Sequence, residues 1–128
     1  MKLLLKLKDW GNITMRIINV PKGSGKSSNL LKYANDNGYA IIVSSVAKKN
    51  KMKEEILHNR YYNVCVYTVR EFLHGLNGAK FSKDDKLCID DVEDVLQELI
   101  GFEIDTATCS IPYTGMGESL DNGKVEES

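Results

Sequence analysis

The stretch IINVPKGSGKSSNLL, residues 17–31, decides the predicted fold. Its first residues are apolar and largely β-branched, which is typical of a buried strand, and its last residues suit the start of a helix. In the loop between them, Gly25, Lys26 and Ser27 complete the second half of the pattern G-x-x-x-x-G-K-[ST], which binds phosphates and their magnesium ion. The first glycine of that pattern is replaced by Val20. The stretch therefore predicts a strand, a phosphate-binding loop and a helix, with one departure from the strict pattern.

The rest of the chain repeats this alternation of strand and helix. We predict strands at residues 15–20, 39–45, 63–68, 86–90 and 102–110, with helical segments between them. Strands that alternate with helices form parallel sheets that helices cover on both faces. The sequence therefore predicts an α/β protein, a three-layer sandwich with a mostly parallel five-stranded sheet. A ligand of such a sheet binds beyond the carboxyl ends of the strands.

Length and composition favour a single domain. The chain has 128 residues, of which 42% are hydrophobic and 27% charged, as in ordinary globular proteins. We place the domain at residues 13–112, after an N-terminal arm or extra strand at residues 1–12 and before a flexible acidic tail at residues 113–128. No apolar run approaches the roughly 20 residues that span a bilayer, so we expect no membrane partner. The three cysteines are scattered, which argues against a disulfide framework and suits a reducing cytoplasm.

Charge is distributed unevenly along the chain. Residues 1–53 hold eleven Lys and Arg against two Asp and Glu, whereas residues 54–128 hold six against sixteen, which together give the net charge of −1. A basic half can face nucleic acid or phosphates, and the run KNKMK at residues 49–53 could contact a phosphate backbone. The alternative is a lysine-rich surface in solvent that an acidic surface offsets.

The loop residues have distinct predicted roles. The backbone N–H groups of Gly23 and Gly25 are unhindered donors for phosphate oxygens, beside the positive end of a helix. Lys26 would act as a catalytic residue that reaches the β- and γ-phosphates, and Ser27 would place its hydroxyl on Mg²⁺. The predicted nucleotide-binding residues are Pro21, Lys22, Gly23, Ser24, Gly25, Lys26, Ser27 and Ser28. The alternative is a helix N-terminus whose serine is only a cap.

A second motif, KLCIDDVEDV at residues 86–95, ends a predicted strand with two acids. A carboxylate at the end of a buried strand is costly unless it is paired or binds a cation. Beside a phosphate loop, Asp90 would hold Mg²⁺, directly or through water, and Asp91 would activate the attacking water as a catalytic residue. The alternative for Asp91 is that it caps the following helix, whose N-terminus Glu93 and Asp94 favour.

The two motifs together resemble a known family. The chain is similar to P-loop NTPases of the RecA-like, additional-strand group, with Walker A in VPKGSGKSS and Walker B in LCIDD. It most resembles the first motor domain of superfamily-one helicases, in which a TxxxF segment precedes Walker B, and here YTVREFL places Thr68 and Phe72 at that spacing. It also resembles small ATPase-like proteins encoded by phages and prophages of Gram-positive bacteria. The resemblance runs from residue 15 to about residue 110 and implies a P-loop NTPase fold.

This resemblance implies a protein that binds ATP and Mg²⁺ and acts in the DNA metabolism of a phage or mobile element, in the cytoplasm of the host cell. Its partner would be DNA or a replication or helicase protein. These residues contain no second RecA-like domain, so the resemblance implies a homo-oligomer or association with another motor. Arg60 and Arg70 could then supply an arginine finger in trans, or they are surface or ion-pair residues.

The departures from the family pattern keep a second interpretation open. The helicases carry Asp-Glu where this chain has Asp90 and Asp91, and the shorter second side chain predicts slow hydrolysis. The alternative is a non-catalytic, nucleotide-responsive interaction module that acts on a host or replication partner. A nucleotide kinase would need an arginine-rich lid, which the sequence lacks.

Overall fold

The computed structural model describes residues 15–19, 21, 23, 25–110 and 113–114. The chain divides into two compact units, one of residues 25–105 and one that combines residues 1–24 with residues 106–128. In chain order the elements are β1 (Ile17–Ile18), α1 (Lys26–Asn37), β2 (Ala40–Val43), α2 (Val46–Asn59), β3 (Cys65–Thr68), α3 (Val69–His74), β4 (Leu87–Ile89), α4 (Val92–Ile100) and β5 (Tyr113–Thr114).

Residues 25–105 build a three-stranded parallel sheet with the strand order β3-β2-β4. The central strand β2 places Ile41 opposite Val66 of β3 and Cys88 of β4. Because all three strands run in the same direction, their carboxyl ends meet at one edge of the sheet, where α2, α3 and α4 begin. That edge is where the fold places the acids that follow β4.

Alternate residues of β2 pack against helices on opposite faces of the sheet. Ile41 and Val43 face α1 and α2, whereas Ile42 faces α3 and α4, as the period of two in a strand requires. The buried residues of the first cluster are Leu31, Ala34, Ile41, Val43, Met52, Val64 and Val66, and those of the second are Ile42, Val69 and Val95. The predicted α/β class with parallel strands is confirmed, and helices on both faces are compatible with the three-layer arrangement.

The predicted five-stranded sheet is wrong, because the described residues form a three-stranded sheet and a separate two-stranded pair. The strand predicted at residues 102–110 does not form. Ile104 donates its backbone N–H to Gln97 Oε1 at 2.9 Å, and residues 105–110 are exposed. Most positions of EIDTATCS are polar or small, so the segment has little apolar surface to bury on a sheet, in spite of its β-forming threonines.

The second unit contributes one described pair of strands, β1 and β5, which run parallel. Among its described residues, the strand predicted at residues 15–20 keeps only Ile17 and Ile18. The arm predicted at residues 1–12 lies outside the described residues, as does the tail predicted at residues 113–128 apart from β5.

An ion pair joins α2 to α3. Lys49 Nζ donates to both carboxylate oxygens of Glu71 at 2.7 Å, and Glu71 is 8% exposed. Glu71 also accepts the backbone N–H of Thr68 at 2.9 Å and the side-chain amide of Asn77. In return Thr68 Oγ1 accepts the backbone N–H of Glu71, which forms a capping box at the start of α3. Burial would raise the pKa of Glu71, but these donors outweigh burial and lower the pKa to about 2.

This ion pair changes the interpretation of the basic run at residues 49–53. Lys49 is engaged within the fold by Glu71, whereas Lys51 and Lys53 are exposed on α2. Of the three lysines that could contact a phosphate backbone, the described structure therefore leaves two on the surface.

Two further features concern the environment of the protein. In the part of the chain that the structure describes, none of the helices has the length and apolar character needed to cross a membrane. The cysteines, which all lie in that part, form no disulfide with one another.

Candidate functional site

Two consecutive acids follow β4 at the carboxyl edge of the sheet. Asp90 still belongs to the ladder, since its backbone N–H donates to the carbonyl oxygen of Ile42 at 3.2 Å. Asp91 then turns the chain with φ 55° and ψ 71°, a left-handed conformation that aspartate tolerates better than most residues. The turn starts α4, and the two neighbouring carboxylates contact different partners.

The first carboxylate meets the start of α1. Ser27 Oγ donates to Asp90 at 3.1 Å from Oδ1 and 3.0 Å from Oδ2. Asp90 is 6% exposed. Gly25 precedes the helix with φ 79°, which a side chain at this position would strain, and therefore lets Lys26 and Ser27 begin α1 directly. The serine hydroxyl and the acid are thus held together by the ends of two different elements.

The second carboxylate is shared by two lysines. Lys26 Nζ at the start of α1 donates to Asp91 Oδ1, and Lys48 Nζ in the first turn of α2 donates to Asp91 Oδ2 at 2.8 Å. Lys48 also contacts Asp94 Oδ2 in the first turn of α4 at 2.8 Å. Asp91 is 17% exposed as a side chain. The beginnings of α1, α2 and α4 are therefore joined by one chain of charges, Lys26–Asp91–Lys48–Asp94.

These contacts move the pKa values of the two acids in opposite directions. Burial raises the pKa of Asp90 above its usual value, against the hydrogen bond from Ser27. Burial would also raise the pKa of Asp91, but the hydrogen bonds from Lys26 and Lys48 outweigh it and hold the pKa low. The two adjacent carboxylates therefore differ in their affinity for a proton, which is higher at Asp90 than at Asp91.

The same contacts raise the pKa values of both lysines. The hydrogen bond to Asp91 raises the pKa of Lys26. Burial would lower the pKa of Lys48, but its hydrogen bonds to Asp91 and Asp94 raise it instead. Both ammonium groups therefore stay charged at neutral pH and can neutralise an anion.

The structure brings five of the predicted site residues together within residues 25–105. They are Gly25, Lys26, Ser27, Asp90 and Asp91. Ser28 is exposed on α1 beside them. Pro21 and Gly23 belong to the other unit, in which Gly23 has φ 83°. Lys22 and Ser24 lie outside the described residues, as does Val20, which replaces the first glycine of the pattern.

Side-chain capping hydrogen bonds are absent at the starts of both α1 and α4. Asp91 stands at the N-cap position of α4, but its side chain makes no capping hydrogen bond and binds the lysines instead. At the start of α1 no side-chain cap is present either, because the N-cap residue is Gly25. Neither acid nor serine is therefore used as a helix cap at this site.

Lys48 and Asp94 are the functional candidates that sequence reasoning missed. Ser45 accepts the backbone N–H of Lys48 at 3.3 Å and so caps α2, which places Lys48 one turn beyond the carboxyl end of β2. The sequence signal was a serine at the end of a predicted buried strand, three residues before a lysine. The lysine-rich composition of that helix concealed it, because Lys48 read as one of several surface charges.

The donor set fits magnesium. Carboxylate and hydroxyl oxygens are hard ligands, and Mg²⁺ is commonly held by one or two protein oxygens together with phosphates and water. Ser27 and Asp90 supply one hydroxyl and one largely buried carboxylate at hydrogen-bond distance from each other. Across the described residues no group of three or more His, Cys, Asp or Glu side chains could hold a metal ion unaided. An ion here would consequently depend on oxygens from a bound phosphate compound.

Comparison of the chain with family models, with curated proteins and with solved structures finds no match to any of them. The chemical interpretation of the site therefore depends on its own geometry: two ammonium groups, one hydroxyl and two carboxylates at the edge of a parallel sheet. Such a set can bind an anion and a divalent cation side by side, and it contains a carboxylate able to accept a proton.

Proposed function

We propose that the chain binds ATP through a P-loop and hydrolyses it slowly in a Mg²⁺-dependent reaction. One observation carries the proposal. Lys26 and Ser27, which follow Gly25 in the loop pattern, contact Asp91 and Asp90 respectively, although more than 60 residues separate the two segments. These contacts gather an ammonium group, a hydroxyl and two carboxylates in one site, the chemical groups that suit binding of a phosphate and Mg²⁺.

Anion binding is supported by the start of α1. The first N–H groups of a helix lack partners within the helix and carry partial positive charge, which attracts phosphate oxygens. Gly25 offers no side chain that would cap them, and the ammonium group of Lys26 lies in the same turn. We propose that these N–H groups and Lys26 bind the phosphates, while the preceding loop residues remain predictions from the sequence pattern.

Metal binding is supported by the burial of Asp90. A carboxylate that is 6% exposed and has a hydroxyl as its hydrogen-bond donor is incompletely compensated, so a cation beside it is favourable. We propose that Ser27 and Asp90 hold Mg²⁺. The ion would supply charge neutralisation at the transferred phosphate. The described residues orient the two ligands through the ladder bond of Asp90 and the first turn of α1.

We expect hydrolysis to be slow because of the hydrogen bonds that Asp91 accepts. A general base must have an oxygen available for the proton of the attacking water, and its pKa should lie near the working pH. Here both carboxylate oxygens accept hydrogen bonds from lysines, which hold the pKa low. When Lys26 turns to a phosphate, Oδ1 of Asp91 becomes available, but the remaining contact with Lys48 keeps Asp91 a weak base.

The wider role remains a proposal from the sequence resemblance. We propose a phage or mobile-element protein of the host cytoplasm that serves DNA metabolism, as a homo-oligomer or beside a replication or helicase protein. Lys51 and Lys53, which are exposed on α2, are the described residues best placed to contact a nucleic-acid backbone. Gel-shift assays on single-stranded DNA at low and high salt would test this: binding at neither concentration would remove the nucleic-acid partner.

The test of nucleotide binding is the melting temperature of the protein with ATP, with and without Mg²⁺. A ligand at 100 times its dissociation constant stabilises a protein by about 2.7 kcal/mol, which for a small domain is a rise of several degrees. We expect such a rise for the wild type and for Lys83→Ala, which removes an exposed lysine of the loop before β4, and none for Lys26→Ala. Equal shifts for Lys26→Ala and the wild type, or no shift for the wild type, would reject the proposal.

One observation favours the second candidate, a nucleotide-responsive module without catalysis. Both oxygens of Asp91, the carboxylate predicted to activate water, accept hydrogen bonds from lysines in the described structure. A module of this kind would show the melting shift with ATP but no Mg²⁺-dependent release of phosphate. Phosphate release measured on the same preparation therefore separates the two candidates.

A further inference from the structure

Lys48 is the residue of this site that no sequence motif assigns. It reaches the acids from α2, whereas the predicted phosphate ligands lie at the start of α1. Its ammonium group contacts both Asp91 and Asp94, each at 2.8 Å. It contacts Oδ2 of Asp91, whereas Lys26 contacts Oδ1, and is therefore a second cation for the same carboxylate.

The two lysines have different freedom to leave Asp91. Under the proposed function Lys26 must turn towards a phosphate, and its contact with Asp91 competes with that movement. Lys48 is held by a second acid, Asp94, and its backbone N–H is bound by the capping hydroxyl of Ser45. Lys48 is consequently the cation that stays when Lys26 departs.

Asp91 still needs a cation beside it after Lys26 has moved to the nucleotide. Asp91 is 17% exposed, and its neighbour Asp90 adds a second negative charge. Leaving a largely buried charge without a partner costs substantially more than keeping one of two partners. The contact with Lys48 thus lowers the free energy needed to release Lys26.

We propose that Lys48 is a positioning residue that retains Asp91 while Lys26 transfers to the nucleotide, so that Lys48 sets nucleotide affinity without touching the nucleotide. This inference depends on the proposed function of the site. Lys48 holds Oδ2 of Asp91 and leaves Oδ1 to be exchanged between Lys26 and the proton of an attacking water.

Three variants test this role of Lys48. Lys48→Ala leaves Lys26 as the cation for Asp91, so ATP binding should weaken by about tenfold, the effect of one charge-assisted hydrogen bond. Asp91→Asn removes the negative charge that competes for Lys26, so ATP binding should tighten by about tenfold. In the Asp91→Asn background, position 91 carries no acid for Lys48 to retain. Adding Lys48→Ala should therefore change the affinity for ATP by less than about twofold relative to Asp91→Asn alone.

The experiment is isothermal titration of ATP with Mg²⁺ into the wild type, the two single variants and the double variant. Lys83→Ala, which also removes one positive charge but lies in the exposed loop before β4, is the matched control and should bind as the wild type does. Lys48→Arg should restore most of the affinity, since it returns a cation. Circular dichroism of each unliganded protein at the titration temperature shows that all are folded. If Lys48→Ala is too unstable to titrate, comparing Lys48→Arg with Lys48→Gln decides in its place, with the Gln variant expected to bind more weakly.

The outcomes separate this inference from the proposed function. If the wild type binds no ATP, the proposed function fails and the inference fails with it. If the wild type binds and Lys26→Ala does not, but Lys48→Ala binds like the wild type, the inference alone is overturned. If Lys48→Ala weakens ATP binding by the same factor in the Asp91→Asn background as in the wild type, Lys48 attracts the nucleotide by its charge and does not act through Asp91. That result would also overturn the inference.

Discussion

Ser27 Oγ lies 3.1 and 3.0 Å from the two carboxylate oxygens of Asp90, although 63 positions separate these residues in the sequence. The contact joins the first turn of α1 to the end of β4 and gives a buried carboxylate one neutral donor. One hydroxyl does not compensate a full charge at 6% exposure, which is why burial raises the pKa of Asp90. The site therefore contains an acid that a cation would stabilise.

Replacing Asp90 with asparagine should separate folding from metal binding. Asp90→Asn keeps an oxygen that accepts the hydroxyl of Ser27 but removes the desolvated charge, so we expect the unliganded protein to become more stable by about 1 kcal/mol. The same change should abolish the part of the ATP-induced melting shift that depends on Mg²⁺. Urea denaturation measures the first effect, and melting curves with and without Mg²⁺ measure the second.

Asp84→Asn provides the control, because Asp84 is an exposed acid of the loop before β4. It removes one charge from the same region and should leave both the stability and the Mg²⁺ effect unchanged. A Mg²⁺-dependent shift of wild-type size in Asp90→Asn would exclude Asp90 as a ligand of the ion.

The ion pair of Glu71 with Lys49 should make stability depend on acidity. The pKa of Glu71 is about 2 in the fold against 4.5 as its ordinary value, so between these values the unfolded chain binds more protons. The stabilisation is therefore complete above about pH 5 and is lost as the pH falls towards 2, up to about 3 kcal/mol in all. The groups that face Glu71 are Lys49 on α2, Thr68 and Asn77 as donors, and Tyr67 on β3.

Glu71→Gln tests this dependence in urea titrations at a series of pH values. The variant should be less stable than the wild type at pH 7, and the difference should shrink as the pH approaches 2, because the wild-type carboxylate becomes protonated. Glu54→Gln, which changes an exposed residue of α2, should follow the wild-type curve throughout. A difference between Glu71→Gln and the wild type that is constant with pH would show that the charge of Glu71 does not stabilise the fold.

Much of the site was predictable because parallel strands place their carboxyl ends at one edge. The loop pattern placed Lys26 and Ser27 at the start of a helix, and the apolar residues before Asp90 and Asp91 placed both acids at the end of a strand. No sequence pattern stated that the two segments touch; the predicted parallel sheet implied it, because ligands of such sheets bind beyond the carboxyl ends of the strands. The contacts of Ser27 with Asp90 and of Lys26 with Asp91 are such contacts.

The remaining features depend on tertiary context that a single sequence does not contain. Lys48 can be recognised as a site residue only once β2 is known to lie next to β4, because its partner Asp91 follows β4. The left-handed backbone of Asp91 is decided by the turn into α4. At residues 102–110 β-forming threonines predicted a strand, but strands form only where a partner strand and apolar burial are available. At residues 102–110 the lack of apolar surface to bury therefore outweighed the local β-propensity.

The apolar core on one face of the sheet should be sensitive to truncation at Leu31. Leu31 is fully buried and belongs to the cluster that α1 and α2 form with Ile41 and Val43. Leu31→Ala should reduce the free energy of unfolding by about 2–5 kcal/mol, since it removes transfer energy and leaves a cavity. Leu57→Ala is the matched control: Leu57 is 78% exposed on α2, and its loss should cost less than about 0.5 kcal/mol. Equal urea midpoints for the two variants would contradict the assignment of this core.

The division of labour between the two neighbouring acids predicts that Asp91→Asn separates binding from turnover. The amide keeps the shape of the side chain but accepts no proton, so phosphate release should fall by at least about 100-fold, the contribution of a general base. Binding of ATP should not weaken, because the charge that competes for Lys26 is removed. Single-turnover phosphate release and titration calorimetry on the same protein measure the two quantities. Asp94→Asn, which also loses a contact with Lys48 but does not contact Lys26, should keep turnover within a few-fold of wild type. Unchanged turnover in Asp91→Asn would show that Asp91 does not activate water.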